Sequence, residues 1–212
     1  MKPEQSPGMN SKSAADWDKR YREHDMSLFG DAPNEYLRMV CARSDFAPQT
    51  VLLPADGDGR NGAWLARRGM SVTAFDLSTE AMRLAQARVK DTGVDVERFN
   101  ADIMEWRPGA GRLWDAVAIL YLQGPAELRQ TAILKAIASL APDGWLVLEG
   151  FARVAGATMG PKDAENRYAI SELETWTKEL KIIELMAGKL MLDEGDRHKG
   201  HADVVRLAAR KR

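Results

Sequence analysis

Apolar residues in this chain fall into short runs separated by segments of helical period. Thr50-Val51-Leu52-Leu53, Val72-Thr73-Ala74-Phe75, Val94–Phe99, Trp114–Leu120 and Trp145-Leu146-Val147-Leu148 are too short for helices and are bounded by Gly, Pro or Asp, so they predict five strands. Trp114–Leu120 is almost wholly apolar, as expected of a strand covered on both faces. Between these runs, Asn61–Arg68 predicts a helix stopped by Gly69. Ser78 is placed to cap a helix with Glu80 in its first turn, Met82, Ala85 and Val89 along one face, and Gly93 as its stop. Pro125 opens a helix in which Ile133, Ile137, Leu140 and Ala141 share a face, followed by a turn at Pro142-Asp143-Gly144. Near the N-terminus, Asp16–Tyr21 starts one helix and Pro33 another that runs to about Arg43. Ser171-Glu172-Leu173-Glu174 has the spacing of a capping box for a helix to about Leu180. Lys181–Leu192 and Asp203–Ala208 flank a polar turn and predict a hairpin. Strands alternating with helices imply the α/β class: a doubly wound, mostly parallel sheet with helices on both faces, brought to seven strands by a C-terminal hairpin that adds an antiparallel edge.

Composition narrows the biology. At 212 residues the chain fits one domain with modest additions. The expected division is a disordered tail at 1–13 and a domain at 14–212, within which 14–45 forms a helical lid and 152–169 a substrate loop. With 45% hydrophobic residues it is not a disordered chain. Thirty basic against 31 acidic residues leave a net charge of −1, which argues against a surface built to hold nucleic acid phosphates. The basic cluster Arg206, Arg210, Lys211 and Arg212 is read as a solvated tail. Cys41, the one cysteine, excludes a disulfide framework and a cysteine zinc site, and its helical run suits a buried hydrophobe. His24, His198 and His201 are too scattered for a metal triad. No apolar run reaches the ~18 residues of a membrane span, and the polar N-terminus lacks a signal-peptide core. The expectation is a cytoplasmic protein acting on a small molecule, with no metal and neither nucleic acid nor membrane as partner; the sequence does not set the oligomeric state.

The loop after the first strand carries the chemistry. Gly57-Asp58-Gly59-Arg60-Asn61-Gly62 fits GxGxxG, follows a strand and opens a helix. Asp76 ends the second strand, where an acid can accept hydrogen bonds from both ribose hydroxyls of an adenosine. The bland alternative is a tight turn and a helix cap. A pyrophosphate beside Asp56 and Asp58 would be repelled by about 1 kcal/mol even when well screened. S-adenosylmethionine carries a sulfonium and an ammonium instead, and its carboxylate could take a helix N–H or Arg60. Asn100-Ala101-Asp102-Ile103 follows the third strand, where Asp102 could accept from the adenine amino group while Ile103 packs on the ring.

On these residues the chain resembles the class I S-adenosylmethionine-dependent methyltransferases, and within them the bacterial tellurite-resistance and thiopurine methyltransferase-like group. Further support comes from Trp17-Asp18-Lys19-Arg20-Tyr21, Gly30 with Pro33-Asn34, Trp114-Asp115, Glu149-Gly150, and Glu194-Gly195 with His198 and Gly200. The resemblance implies S-adenosylmethionine as cofactor. It implies contacts from Trp17, Tyr21, Asp56, Gly57, Gly59, Arg60, Asn61, Asp76, Leu77, Ala101, Asp102, Ile103 and Leu120. Many members carry an acid on the strand end before the first glycine; here Leu53 and Pro54 stand in that region, so Asp56 is assigned the methionine ammonium. A single glycine, Gly144, is expected to supply the positive φ where Pro-Gly-Gly is usual.

Methyl transfer needs nucleophile, methyl and sulfur in line, with water excluded. A thiol, hydrosulfide or selenol needs little help, whereas a hydroxyl needs a base. Leu120–Pro125 offers no clear base and no Asn- or Asp-Pro-Pro-Tyr motif is present, which favours a soft acceptor. If Lys181–Leu192 runs parallel to the sheet, the turn after it brings Glu194, His198 and His201 to the substrate side. His198 is then the base candidate for O- or N-methylation, and Tyr121 a candidate for cofactor or substrate contact. Trp17 and Tyr21 could form an aromatic lid over the sulfonium, and Trp64 is assigned to the core. The rivals are a nicotinamide-dependent enzyme and a non-catalytic S-adenosylmethionine-binding module.

Overall fold

A computed structural model describes residues 12–24, 28–90, 92–109 and 111–212. The tail expected at 1–13 lies outside these except for Lys12 and Ser13, and Ser13 Oγ and its N–H both engage the Asp16 carboxylate at the start of the first helix. The described residues form one seven-stranded sheet. Its strands are β1 (Thr50–Pro54), β2 (Ser71–Asp76), β3 (Glu97–Asn100), β4 (Trp114–Leu120), β5 (Leu140–Phe151), β6 (Leu180–Asp193) and β7 (Lys199–Lys211), in spatial order β3-β2-β1-β4-β5-β7-β6. The helices are α1 (Ala14–His24), α2 (Glu35–Cys41), α3 (Arg60–Arg67), α4 (Thr79–Val89), α5 (Ala126–Ala138) and α6 (Ile170–Trp176).

Strand alternation sorts the core into two layers. Val51, Leu53, Val72, Ala74, Ala116 and Ala118 meet Leu37 and Val40 of α2, Leu65 of α3 and Val89 of α4. Leu52, Phe75, Val117, Ile119, Leu146 and Leu148 point the other way, onto Ala132, Ile133 and Ala136 of α5 and Leu173 of α6. Helix α1 docks outside the first layer, where Tyr21 packs with Ala81 and Leu84 of α4.

The mostly parallel doubly wound sheet and its C-terminal antiparallel hairpin are as expected; what differs is which hairpin strand forms the outer edge. β7 is antiparallel to both β5 and β6, so the edge strand β6 runs with the parallel body and the reversed strand lies one place inside. Burial explains the order: Val204–Ala209 of β7 are all buried, whereas β6 is largely half-exposed, so the more apolar strand takes the interior. Leu140 and Ala141 leave the predicted helix and open β5, which also absorbs Pro142–Gly144. There Asp143, not Gly144, has the positive φ, of 62°. Gly144 is required for space, because a Cβ on it would lie 2.9 Å from the Ala141 carbonyl oxygen. β3 begins at Glu97 rather than Val94. The N-cap of α6 is Ala169, two residues before the predicted Ser171: the Glu172 carboxylate accepts from the Ala169 N–H at 3.1 Å and is also held by Arg129 and Arg153.

Of the basic C-terminal cluster Arg212 is exposed, as expected of a tail, but the other three are held by the fold. Arg206 is buried on Glu149 at 2.6 Å, Arg210 donates to the Asp143 carbonyl, and Lys211 Nζ caps the Ile137 and Leu140 carbonyls. Cys41 is buried, which pushes its thiol up to about 11, and Trp64 is partly buried against the first layer. No helix among the described residues is long and apolar enough to cross a membrane.

Candidate active site

The carboxyl ends of the parallel strands surround a cavity of about 690 Å³. It sits where the strand order reverses between β1 and β4, the usual crevice of an open α/β sheet, and falls within the roughly 300–1,000 Å³ typical of small-molecule sites. Its walls come from α1 and residues 28–29, the β1–α3 loop, the ends of β2 and β3, residues 120–124, Phe151, residues 160–163 and the β6–β7 turn.

The glycine loop is held from below. Gly57 has φ 58°, and a Cβ there would fall 2.4 Å from the Tyr21 hydroxyl, so the aromatic helix α1 closes directly on the loop. Asp76 accepts from the Gly57 and Ser78 N–H groups, each at 2.9 Å, and so ties the loop to the start of α4. Burial raises its carboxyl to about 6 against these two bonds. A carboxylate offers about four lone-pair positions, so acceptor capacity remains for a ligand. Asp102 Oδ1 accepts from the Met104 N–H at 2.8 Å, forming a turn rather than a helix cap, and Ile103 is buried in the second core layer.

Twelve of the thirteen residues assigned to the cofactor line this cavity, as do Tyr121 and His198. The exception is Gly59, which faces away: a Cβ there would fall 2.6 Å from Ala85 Cβ, so this glycine serves the packing of α3 on α4. Two charge assignments change. Asp56 turns its carboxylate under the loop onto Arg98 at 2.9 Å and the Gly62 N–H at 3.3 Å, and burial raises its carboxyl to about 6. Asp58 is paired with Arg88 at 2.6 Å. The loop expected to be anionic is therefore neutralised, and Asp56 is not free to meet an ammonium. Arg60 is likewise committed, to Glu194 at 2.6 Å and the Ala32 carbonyl at 2.8 Å.

At the other end, β6 is parallel to the sheet body, so its turn reaches the cavity. His198 is 2% exposed, and its ring centroid lies 4.1 Å from Tyr121, 5.0 Å from Phe29 and 5.4 Å from Phe151. Burial lowers the imidazole to about 4, with Arg60 acting in the same direction, so it is neutral at physiological pH; Nδ1 has no protein partner. Tyr121 is a non-glycine residue at φ 55°, held there by its N–H on the Glu149 carbonyl at 2.7 Å. Burial and the Glu149 charge push its phenol well up. His201 does not join them: it lies exposed on β7 beside Met191. Sequence reasoning expected the segments 14–36 and 194–201 in the wall without singling out Phe29 or Arg197, and missed Phe151. Phe29 and Phe151 adjoin the noted Gly30 and Glu149-Gly150, but nothing in the local pattern distinguishes them from core.

Residues 51–144 match the family described as a methyltransferase domain. Thiopurine S-methyltransferase of Pseudomonas putida (strain GB-1) is 30% identical over 100 residues, 46% of this chain and 45% of that protein. Ribosomal RNA small subunit methyltransferase C of Chromohalobacter salexigens is 37% identical over 117 residues, 50% of this chain and 33% of that one. The chain thus spans less than half the length of either relative. Among solved structures, TehB from Haemophilus influenzae superposes with a TM-score of 0.71 at 17% identity, over 92% of this chain and 67% of that one. Magnesium protoporphyrin IX methyltransferase from Synechocystis with bound S-adenosylhomocysteine gives 0.68 at 14% identity, over 92% and 96%.

Proposed function

We propose that this chain, which carries a methyltransferase domain of the class I Rossmann-like kind, uses S-adenosylmethionine to methylate a small soft nucleophile, a thiol, hydrosulfide or related chalcogen. When bound, the cofactor supplies a methyl group on a sulfonium, ready for in-line displacement. Asp76 takes the ribose hydroxyls. Asp102 and Ile103 take the adenine, and Leu77, Ala101 and Leu120 complete that half of the cavity. Trp17 and Tyr21 cover the loop and exclude water. The loop's paired acids carry no net charge, so they neither favour the cationic cofactor nor bar a dinucleotide; the domain match and the relatives favour S-adenosylmethionine.

The observation that carries the acceptor class is the setting of His198: it is buried among Tyr121, Phe29 and Phe151, and among the described residues its Nδ1 meets no carboxylate that would stabilise an imidazolium. That burial lowers the imidazole to about 4, a poor match to a phenol that holds its proton to about pH 10. A thiol near pKa 8.5 already supplies thiolate in neutral solution. His198, Tyr121, Phe29 and Phe151 then orient and desolvate the acceptor rather than deprotonate it. The test is S-adenosylhomocysteine release against a panel of hydrosulfide, alkyl and aryl thiols, selenite, tellurite, phenols and amines. Turnover should appear with thiols or chalcogen anions, and His198→Gln should lower kcat by less than about tenfold. Turnover confined to phenols or amines, with His198→Gln inactive, would overturn this reading and make His198 the base. Binding without turnover would leave a binding module.

Cofactor affinity should depend on pH through Asp76. Its ionised form accepts the ribose bonds, and its folded-state carboxyl titrates near 6. Affinity for S-adenosylhomocysteine should therefore be level above about pH 7 and fall by up to about tenfold per unit below about pH 6. Calorimetric titration across that range checks it, and a flat profile would remove Asp76 from the contact.

A further inference from the structure

Beneath the cavity lies a buried polar cluster that the methyl-transfer reading does not use. Its centre is Asn34, which is 0% exposed. All of its hydrogen-bonding groups but the backbone carbonyl act outside the ordinary helix ladder. Oδ1 accepts from the Leu37 N–H at 2.9 Å and caps α2. The backbone N–H donates to Asn61 Oδ1 at 2.8 Å, in the first turn of α3. The two hydrogens of Nδ2 are divided between two carboxylates, Glu149 at the end of β5 (3.0 Å) and Glu194 in the β6–β7 turn (3.2 Å). Those carboxylates are in turn held by Arg206 and Arg60, each at 2.6 Å. Two cations, two anions and a neutral amide make a charge-balanced set, and only an uncharged double donor satisfies its centre.

The connections matter because of where they lead. Asn61 and Arg60 belong to the cofactor loop and helix. Glu149 receives the Tyr121 N–H on its carbonyl, and the Glu194 N–H donates to the His198 carbonyl at 2.9 Å. One side chain thus spans the cofactor end and the acceptor wall. We infer that Asn34 is a positioning residue for methyl transfer: its amide, set between Glu149 and Glu194, fixes the α3 first turn against the β6–β7 turn and so holds the cofactor cradle in register with the acceptor wall. This rests on the proposed methyltransferase reading.

Asn34→Asp is the informative substitution. It keeps the volume and the Oδ1 cap, and replaces the double donor with a titratable group. The charged groups facing that position are Glu149, Glu194, Arg60 and Arg206, with the neighbouring Glu35 exposed to solvent at the surface end; Tyr36, under the Arg206 guanidinium, and Asn61 are neutral. Two carboxylates on either side hold a proton on a third, and in that form it donates a hydrogen bond much as asparagine does. Ionised, it places three anions in the cluster.

Calorimetric titration of S-adenosylhomocysteine into wild type and Asn34→Asp, between about pH 5.5 and about pH 8.5, reads the effect as the ratio of the two Kd values. The ratio should stay under about threefold at the acid end and exceed about tenfold at the alkaline end. Wild type tightens in the same direction of rising pH, so the variant's loosening has the opposite sign. Asn34→Leu, which has no donor, should bind weakly throughout; if it does not fold, Asn34→Asp alone decides. A Kd ratio constant within about twofold, even with a lowered Tm, would assign Asn34 to folding only and overturn the inference. Wild type that fails to bind would instead overturn the cofactor reading itself.

Discussion

Asp76→Ala should weaken S-adenosylhomocysteine binding by about a hundredfold or more. The carboxylate carries two loads at once. It fixes the loop through the Gly57 N–H and the α4 start through the Ser78 N–H, and it presents its remaining lone pairs to the cavity. Hydrogen bonds to a charged group contribute about 1.5–3 kcal/mol each, and each 1.4 kcal/mol is about tenfold in affinity. Losing the ribose contacts alone therefore accounts for the lower figure. Freeing the Gly57 N–H adds to it, because that glycine's left-handed conformation loses its anchor. Stability should respond differently. Asp76 is held ionised against burial, with its carboxyl raised to about 6. Such a group contributes stability below its unfolded pKa, about 3.9, that is lost as pH rises through 6. At neutral pH the substitution should thus cost binding far more than Tm. A Kd within about threefold of wild type would remove Asp76 from the cofactor contact.

Arg60→Met should destabilise the whole domain. Arg60 and Glu194 are 5% and 6% exposed, and their contact joins the start of α3 to the β6–β7 turn. Removing one partner of a buried pair leaves the other as an uncompensated charge, at about 3–5 kcal/mol. For a domain of this size, about 2–4 °C per kcal/mol puts the fall in Tm between about 6 and about 20 °C. Adding Glu194→Gln to Arg60→Met should recover part of it, since the stranded carboxylate is then gone, and the non-additivity measures the pair. Thermal unfolding of the two single variants and the double variant checks this. Losses that simply add would mean the two residues do not act as a pair.

Legibility in the sequence followed the range of the forces involved. β1, β2 and β4 were readable to within a residue because each is a short apolar run covered on both faces. That Gly57, Asp76 and Asp102 would line one cavity was readable because loop, glycines and acid follow consecutive strand ends. Strand order beyond β5 was not, because β6 and β7 have similar local pattern and only their relative burial decides which pairs with β5. The fates of Asp56, Asp58 and Arg60 were equally hidden. Their partners Arg98, Arg88 and Glu194 lie 42, 30 and 134 positions away and carry no signal in local spacing. Arg206 was mistaken for tail because charge runs are usually solvated, and its partner Glu149 is visible only once β5 and β7 are paired.

The contact between Gly30 and Gly195 has a kinetic consequence. Their backbones approach so closely that a Cβ on Gly195 would fall 2.2 Å from the Gly30 nitrogen, and beside them Asn34 meets Glu194 across 160 positions of chain. The cofactor cradle, by contrast, is closed by Asp76 and Gly57, only 19 positions apart. Loop-closure entropy and contact order make the short closure early and the long one late. During synthesis the glycine-loop half of the pocket can therefore form while the β6–β7 turn is still to come. The wall on the β6–β7 side is completed last, and the cavity closes only when the two distant ends of the domain have found each other.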